Sequence, residues 1–86
     1  MNGYGILVYP DNTRYEGQFK DGLKEGYGVH YWTDGRKYEG LWQKGRENGL
    51  GFIQIYKAEG SLPRYGVWQN GKRLKWFDHT EAVAIK

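Results

Sequence analysis

The sequence contains no cysteine, so neither a disulfide framework nor a cysteine-based zinc site can staple the chain. That absence fits an intracellular, reducing setting. Proline is scarce at two residues, methionine at one and histidine at two. No stretch approaches the roughly 18 apolar residues of a membrane-crossing helix. Met1 is followed by neither a basic n-region nor an apolar h-region, so neither a span nor a signal peptide is expected. With 86 residues, the chain has room for one small domain.

Against these absences stand 14 glycines, eight tyrosines, four tryptophans and three phenylalanines. Glycine costs about 1 kcal/mol per residue inside a helix, whereas large aromatic side chains suit a pleated surface. The composition therefore predicts an all-β fold. A repeat organises it. Tyr15-Glu16-Gly17-Gln18-Phe19, then Gly22, Gly26 and Gly28, recurs 23 residues on (Tyr15 to Tyr38) as Tyr38-Glu39-Gly40-Leu41-Trp42, then Gly45, Gly49 and Gly51. Running backwards, Gly26-Tyr27-Gly28 maps onto Gly3-Tyr4-Gly5, and Asp34-Gly35 onto Asp11-Asn12. A degenerate copy, Arg64-Tyr65-Gly66-Val67-Trp68, follows after a longer connection.

Each unit reads as two strands, the first Tyr15 to Lys20 and the second Tyr27 to Trp32. Asp34-Gly35 then reverses the chain as a type I′ turn, which favours Asp-Gly. The result is a single-file meander of antiparallel hairpins. Residues two apart share a face of a strand, so equivalent positions stack in rows. Tyr4, Tyr27 and Leu50 form one row, Ile6, Val29 and Phe52 a second, and Phe19, Trp42 and Trp68 a third. All three are expected to form the core. The repeated glycines are expected to permit bulges and a close approach of backbone to aromatic rings.

The unit Tyr-Glu-Gly-x-Trp with spaced glycines ending in Gly-x-Gly resembles the MORN family, and the resemblance runs from Gly3 to about Phe77. It implies a twisted array of hairpins over residues 1–77: a half unit at 3–14, full units at 15–37 and 38–63, and a degenerate unit at 64–77. Residues 78–86 form a tail or cap. It also implies a scaffold, of the kind found in cytoskeletal, ciliary and membrane-junction proteins, and phospholipid binding has been attributed to such repeats. Phe19 departs from the family tryptophan, and the last copy lacks the leading Tyr-Glu.

The array begins halfway through a unit. Its first strand, with Tyr4, Ile6 and Val8, is a candidate edge for pairing with a second copy or another chain. The alternative is a boundary or a frayed edge.

Chemistry-bearing motifs are few. No Gly-x-Gly-x-x-Gly occurs. Gly66 to Lys72 matches P-loop spacing, but Arg73 stands where the Mg²⁺-binding hydroxyl belongs. Glu16 and Glu39 lie two strand spacings apart, roughly 9–10 Å, a separation that overlaps that of inverting glycosidases. Both point away from the Tyr-Gly-aromatic face, and the repeat accounts for them. Stacking places His30 between Leu7 and Ile53 as a partly buried structural histidine. Catalytic, metal-binding and cofactor-binding residues are therefore not expected.

Charge is more informative. Residues 1–59 balance eight basic against eight acidic side chains, while residues 60–77 hold Arg64, Lys72, Arg73 and Lys75 and no acid. With Trp76, these cations make a candidate anionic-lipid site. Nucleic acid is not expected, because most aromatics belong to the repeat core. The leading expectation is a cytoplasmic, non-enzymatic protein-interaction scaffold, within a cytoskeletal, ciliary or membrane-associated assembly. Its partner segment would meet Tyr15, Phe19, Tyr27, Tyr38, Trp42 and Trp68. The alternatives are a peripheral phospholipid-binding module and an accessory module of a larger enzyme. Asp78 or Thr80 is a candidate cap for a helical turn near Glu81 and Ala84.

Overall fold

Two kinds of turn alternate along the chain and set its architecture. Asp21-Gly22, Lys44-Gly45 and Asn70-Gly71 all have positive φ at both residues, at 53° and 82°, 50° and 86°, and 50° and 83°. That is the type I′ pattern, whose twist matches that of the strands it joins. The other turns, Tyr9 to Thr13 and Trp32 to Arg36, close with Tyr9 N–H donating to Thr13 O and Trp32 N–H to Arg36 O, both at 2.9 Å. In these only the third connecting residue is left-handed, Asn12 at φ 72° and Gly35 at φ 97°.

Asp34-Gly35 is therefore not the type I′ turn expected. Its aspartate acts through its side chain instead. The Asp34 carboxylate accepts the Arg36 N–H at 3.0 Å, as Asp11 accepts that of Thr13 at 3.0 Å. Both carboxyls are held below the usual range, Asp34 chiefly by that backbone bond and Asp11 chiefly by the Thr13 hydroxyl.

The computed structural model describes residues 2–77, and the tail expected at 78–86, with His79, lies outside them. The described strands are β1 (Gly3–Val8), β2 (Arg14–Lys20), β3 (Leu23–Tyr31), β4 (Arg36–Gln43), β5 (Arg46–Ile55), β6 (Arg64–Gln69) and β7 (Lys72–Trp76). They form one sheet in chain order, each antiparallel to its neighbours. This is the all-β meander expected from the repeat. β3 starts at Leu23 rather than Tyr27, because the two-residue turn leaves no loop and Leu23 pairs at once with Lys20. Among the described residues no helix is long and apolar enough to cross a membrane.

Register assigns the faces. Gly5, Gly17, Gly28, Gly40, Gly51 and Gly66 are successive cross-strand partners, an unbroken glycine row over six strands. Beside it on the same face runs Leu7, Tyr15, His30, Tyr38, Ile53 and Arg64. Tyr15 and Tyr38 fold their rings over the glycines and are 0% exposed. Phe19, Tyr15, Trp42, Tyr38, Trp68 and Trp76 then form one continuous line of rings. Successive centroids are 4.8–5.8 Å apart with planes at 77–90°. Edge-to-face pairs of this kind contribute about 0.5–1.5 kcal/mol each beyond their buried area.

The third expected row thus lies in the core, while the other two do not. Tyr4, Tyr27 and Leu50 lie on the opposite, outer face and are exposed, as is Ile6, whose row includes the half-buried Val29 and Phe52. The physical reason is the glycine row. Only the face without side chains along it lets tyrosine rings lie flat against backbone and close a core in a single-layer sheet.

The same tyrosines repair the ladder where it breaks. Register shifts between Gly17 and Phe19 and between Gly40 and Trp42. The Tyr15 hydroxyl donates to Gln18 O and the Tyr38 hydroxyl to Leu41 O, both at 2.9 Å. Burial raises both phenols, Tyr15 to about 12. Tyr38→Phe leaves that carbonyl without its donor and is expected to cost about 1–2 kcal/mol. Urea denaturation checks it, and a midpoint equal to that of the unsubstituted chain would show that water replaces the hydroxyl.

Candidate functional site

Where the chain leaves β1, the Tyr9–Thr13 turn stands over the start and end of β3. Between them lies a cavity of about 510 Å³ lined by Tyr9, Pro10, Asp11, Thr13, Lys24 and His30. Lys24 is the second residue of β3, just after the Asp21-Gly22 turn, where it pairs with Phe19 and so faces the core side. Its ammonium lies 5.2 Å from the Tyr9 ring centroid, 5.3 Å from that of Tyr15 and 4.8 Å from that of Trp42. Three aromatic faces hold one cation.

His30 forms the floor. It is 9% exposed and packs against Tyr9, Trp32 and Trp42 at ring separations of 6.0, 4.7 and 6.1 Å. In the ladder it lies directly between Tyr15 and Tyr38, with Leu7 and Ile53 one strand further out. Burial, and then the nearby Lys24 charge, push its pKa down to about 4, against a weaker pull from Asp11. The imidazole is therefore neutral at pH 7. Its Nδ1 is buried and has no hydrogen-bond partner.

None of the cavity residues was singled out as a site by the sequence, which read His30 as a structural histidine. One signal was present. Advancing by one period replaces Thr13 with Arg36, Lys24 with Glu47 and His30 with Ile53, while the tyrosine and glycines around them stay fixed. The cavity's chemistry belongs to the first unit alone.

The structure separates the residues the sequence proposed. Of the six partner-binding aromatics, Tyr15, Phe19, Tyr38, Trp42 and Trp68 are buried in the core and cannot present a surface. Tyr27 is 49% exposed, on the outer face. Its hydroxyl donates to Glu39 Oε2. Tyr4, Ile6 and Val8 are all exposed on β1, which has β2 as its neighbour in the sheet.

The basic group is divided by strand alternation. Arg64 and Arg73 flank the Trp76 ring at 4.3 and 4.6 Å on the core side. Lys75 pairs with Val67 and Lys72 with Gln69, which puts both on the outer side. Glu16 and Glu39 flank Val29 on the outer face, each held by a cation, Arg14 at 2.8 Å and Lys37 at 3.3 Å. Gly66 to Lys72 is strand, turn and strand, so no helix N-terminus stands behind the P-loop-like spacing. Among the described residues no three metal-ligating side chains cluster.

A single-layer meander whose core is a repeated tyrosine-over-glycine motif defines a β-hairpin repeat protein. The family model of the MORN repeat matches residues 1–14, 15–35 and 38–54, more than half of the sequence. The chain belongs to the MORN repeat family, a non-catalytic repeat family that generally serves in binding and scaffolding. The strand pairing continues beyond the matched segments, with Gly51 opposite Gly66 in the same glycine row. No curated protein matches the chain at significant similarity.

Proposed function

We propose that this chain is a non-enzymatic protein-interaction module that receives a protein segment on the outer face of its sheet. The outer face carries the proposal. Tyr4, Ile6, Tyr27, Leu41 and Leu50 are all exposed there, with Val29, Phe52, Tyr65 and Val67 half-buried between them. Gln18, Glu16 and Glu39 are set among them, so the face is mixed, with its apolar side chains grouped rather than continuous. Apolar side chains grouped on an exposed face mark an interaction site, and tyrosine is enriched at such sites. The β1 backbone edge borders the same strip, so an added strand, from another protein or a second copy, extends it. Placement in a cytoplasmic assembly of the cytoskeleton, the cilium or a membrane rests on family membership, as does service as the accessory module of an enzyme.

A second reading, an anionic-lipid module, is favoured by the Arg64–Trp76–Arg73 stack. Both readings meet one experiment. Tyr27→Lys/Leu41→Lys, which leaves the core intact, is expected to lose the proteins captured by the unsubstituted chain and to keep its melting temperature. Arg64→Glu/Arg73→Glu is expected to keep them. If binding to anionic vesicles at low salt is strong and is lost in the second variant, while the two capture profiles coincide, the lipid reading replaces the first.

A further inference from the structure

The two edges of the sheet are built differently. Three of the five residues of β7 are cations, Lys72, Arg73 and Lys75, and a bulge interrupts its pairing with β6 between Val67 and Trp68. Charge and bulges are how natural sheets keep an edge from pairing with another chain. β1 has neither. Gly3–Val8 carries no charge and no proline, and its register with β2 runs from Gly3 to Val8 without a shift. Among the described residues, β2 is the one strand beside it.

The ladder shows which backbone groups this edge leaves open. Tyr9 N–H donates to Thr13 O at 2.9 Å, so Tyr9 and Thr13 are a hydrogen-bonded pair. Such pairs alternate along an antiparallel ladder, which turns the backbone groups of Gly3, Gly5 and Leu7 toward β2 and those of Tyr4, Ile6 and Val8 outward. These are also the residues with exposed apolar side chains on the outer face. Open donors, open acceptors and apolar surface therefore coincide on alternate residues of one strand.

We propose that β1 pairs antiparallel with β1 of a second copy of this chain, about a two-fold axis at Ile6. In that register Ile6 faces the copy's Ile6 and Tyr4 faces its Val8, so each open residue meets another. The outer face gains aromatic–β-branched and branched–branched cross-strand pairs. On the core face Leu7 falls opposite the copy's Gly5, a large side chain against none. β7 of a second copy fits the edge less well. It brings Lys72, Arg73 and Lys75 against a strand with no carboxylate to receive them, and it chains molecules head to tail where the two-fold pair closes. The pairing rests on the outer-face reading only in taking this edge as interaction surface, and it commits that surface to one occupant. A six-residue edge makes a smaller contact than the roughly 800 Å² per partner of a stable complex, so the dimer is weak, with a dissociation constant on the order of 100 µM.

Sedimentation equilibrium of the full chain at up to about 1 mM is expected to fit a monomer–dimer equilibrium. Amide exchange followed by NMR locates the contact: exchange at Tyr4, Ile6 and Val8 slows with concentration more than at Gly5 and Leu7, which β2 already protects. Ile6→Lys sets like charges opposite each other on the axis and is expected to weaken the dimer about tenfold or more. Because Ile6 is exposed, the melting temperature of the dilute monomer stays the same. A synthetic chain with an N-methyl group on the Ile6 amide keeps every side chain and its pairing with β2, and is expected to lose the dimer. Tyr27→Lys/Leu41→Lys leaves the dimer intact, so loss of captured proteins and loss of self-association are independent results. A purely monomeric chain at the highest concentration, or a dimer that survives the N-methyl group, overturns the proposal. Slowed exchange along β7 with masses beyond the dimer overturns it in favour of head-to-tail chaining. A dimer lost in Tyr27→Lys/Leu41→Lys but kept in Ile6→Lys overturns it too, and places the second copy on the outer face.

Discussion

Gly40→Ala is expected to destabilise the protein by about 4 kcal/mol, at the upper end of what a point substitution does. A Cβ built on Gly40 meets Gly51 Cα and Leu50 O, each at 2.5 Å. Both are backbone atoms of the neighbouring strand, so relief requires β4 and β5 to separate. A chain of this size has a total stability on the order of 4–13 kcal/mol, and one methyl group therefore removes a large share of it. The same substitution stabilises a protein by up to about 1 kcal/mol where backbone and space allow it, so the sign itself reports on the packing.

Gly51→Ala meets a different obstacle. Its Cβ would lie 2.5–2.6 Å from the Tyr38 Oη, Cε2 and Cζ atoms, a side chain rather than backbone. A Cβ on Gly40 also meets Tyr38 Oη, at 2.9 Å, but its backbone clashes remain when the ring is gone. A double-mutant cycle with Tyr38→Leu should therefore show stronger coupling for Gly51→Ala than for Gly40→Ala. Gly22→Ala is the control, with open space around the Cβ and strain from its φ of +82° alone, which costs about 1–2 kcal/mol. Equal denaturation midpoints for Gly40→Ala and Gly22→Ala would show that close strand contact is not what fixes glycine in the row.

The glycine row explains how much of the fold could be read in advance. The 23-residue repeat gave strand order, hairpin succession and stacking partners, because all of these follow from the period and from alternation. It did not give the buried face. Both faces of β3 carry aromatic residues, Tyr27 on one side and His30 on the other, and hydrophobicity does not choose between them. What chooses is the absence of side chains at Gly17, Gly28, Gly40 and Gly51, which admits Tyr15 and Tyr38 as a lid. Five aromatics named as contact residues were for that reason core. Turn chemistry was exchanged similarly, because Asp-Gly suits type I′ geometry but Asp34 also caps its own turn. The cavity joins residues from a turn and both ends of β3, a juxtaposition no local pattern measures.

Acid should weaken this fold through His30 before the carboxylates titrate fully. Its pKa is about 4 in the folded chain and 6.5 ordinarily, with burial the main cause and Lys24 the second. Above the ordinary value both folded and unfolded chains carry a neutral imidazole, and the stability is undiminished. Between pH 6.5 and about 4 the unfolded chain takes up a proton that the folded chain refuses, and stability falls with pH. At 1.36 kcal/mol per unit the loss reaches about 3 kcal/mol by pH 4. Below that the imidazole protonates in both states and its contribution levels off. Asp11 and Asp34, whose folded pKa values are lowered, then continue the decline as they protonate. Glu39, raised by burial, acts earlier: it protonates first in the folded chain and so offsets part of the His30 slope above its ordinary value. His30→Ile, the residue found one period on, is expected to flatten the slope between pH 6.5 and 4. Lys24→Met is expected to move the imidazole part of the way back toward its ordinary value. Urea midpoints collected across that range decide it: if the unsubstituted chain and His30→Ile lose stability in parallel, His30 is not the group the fold holds neutral.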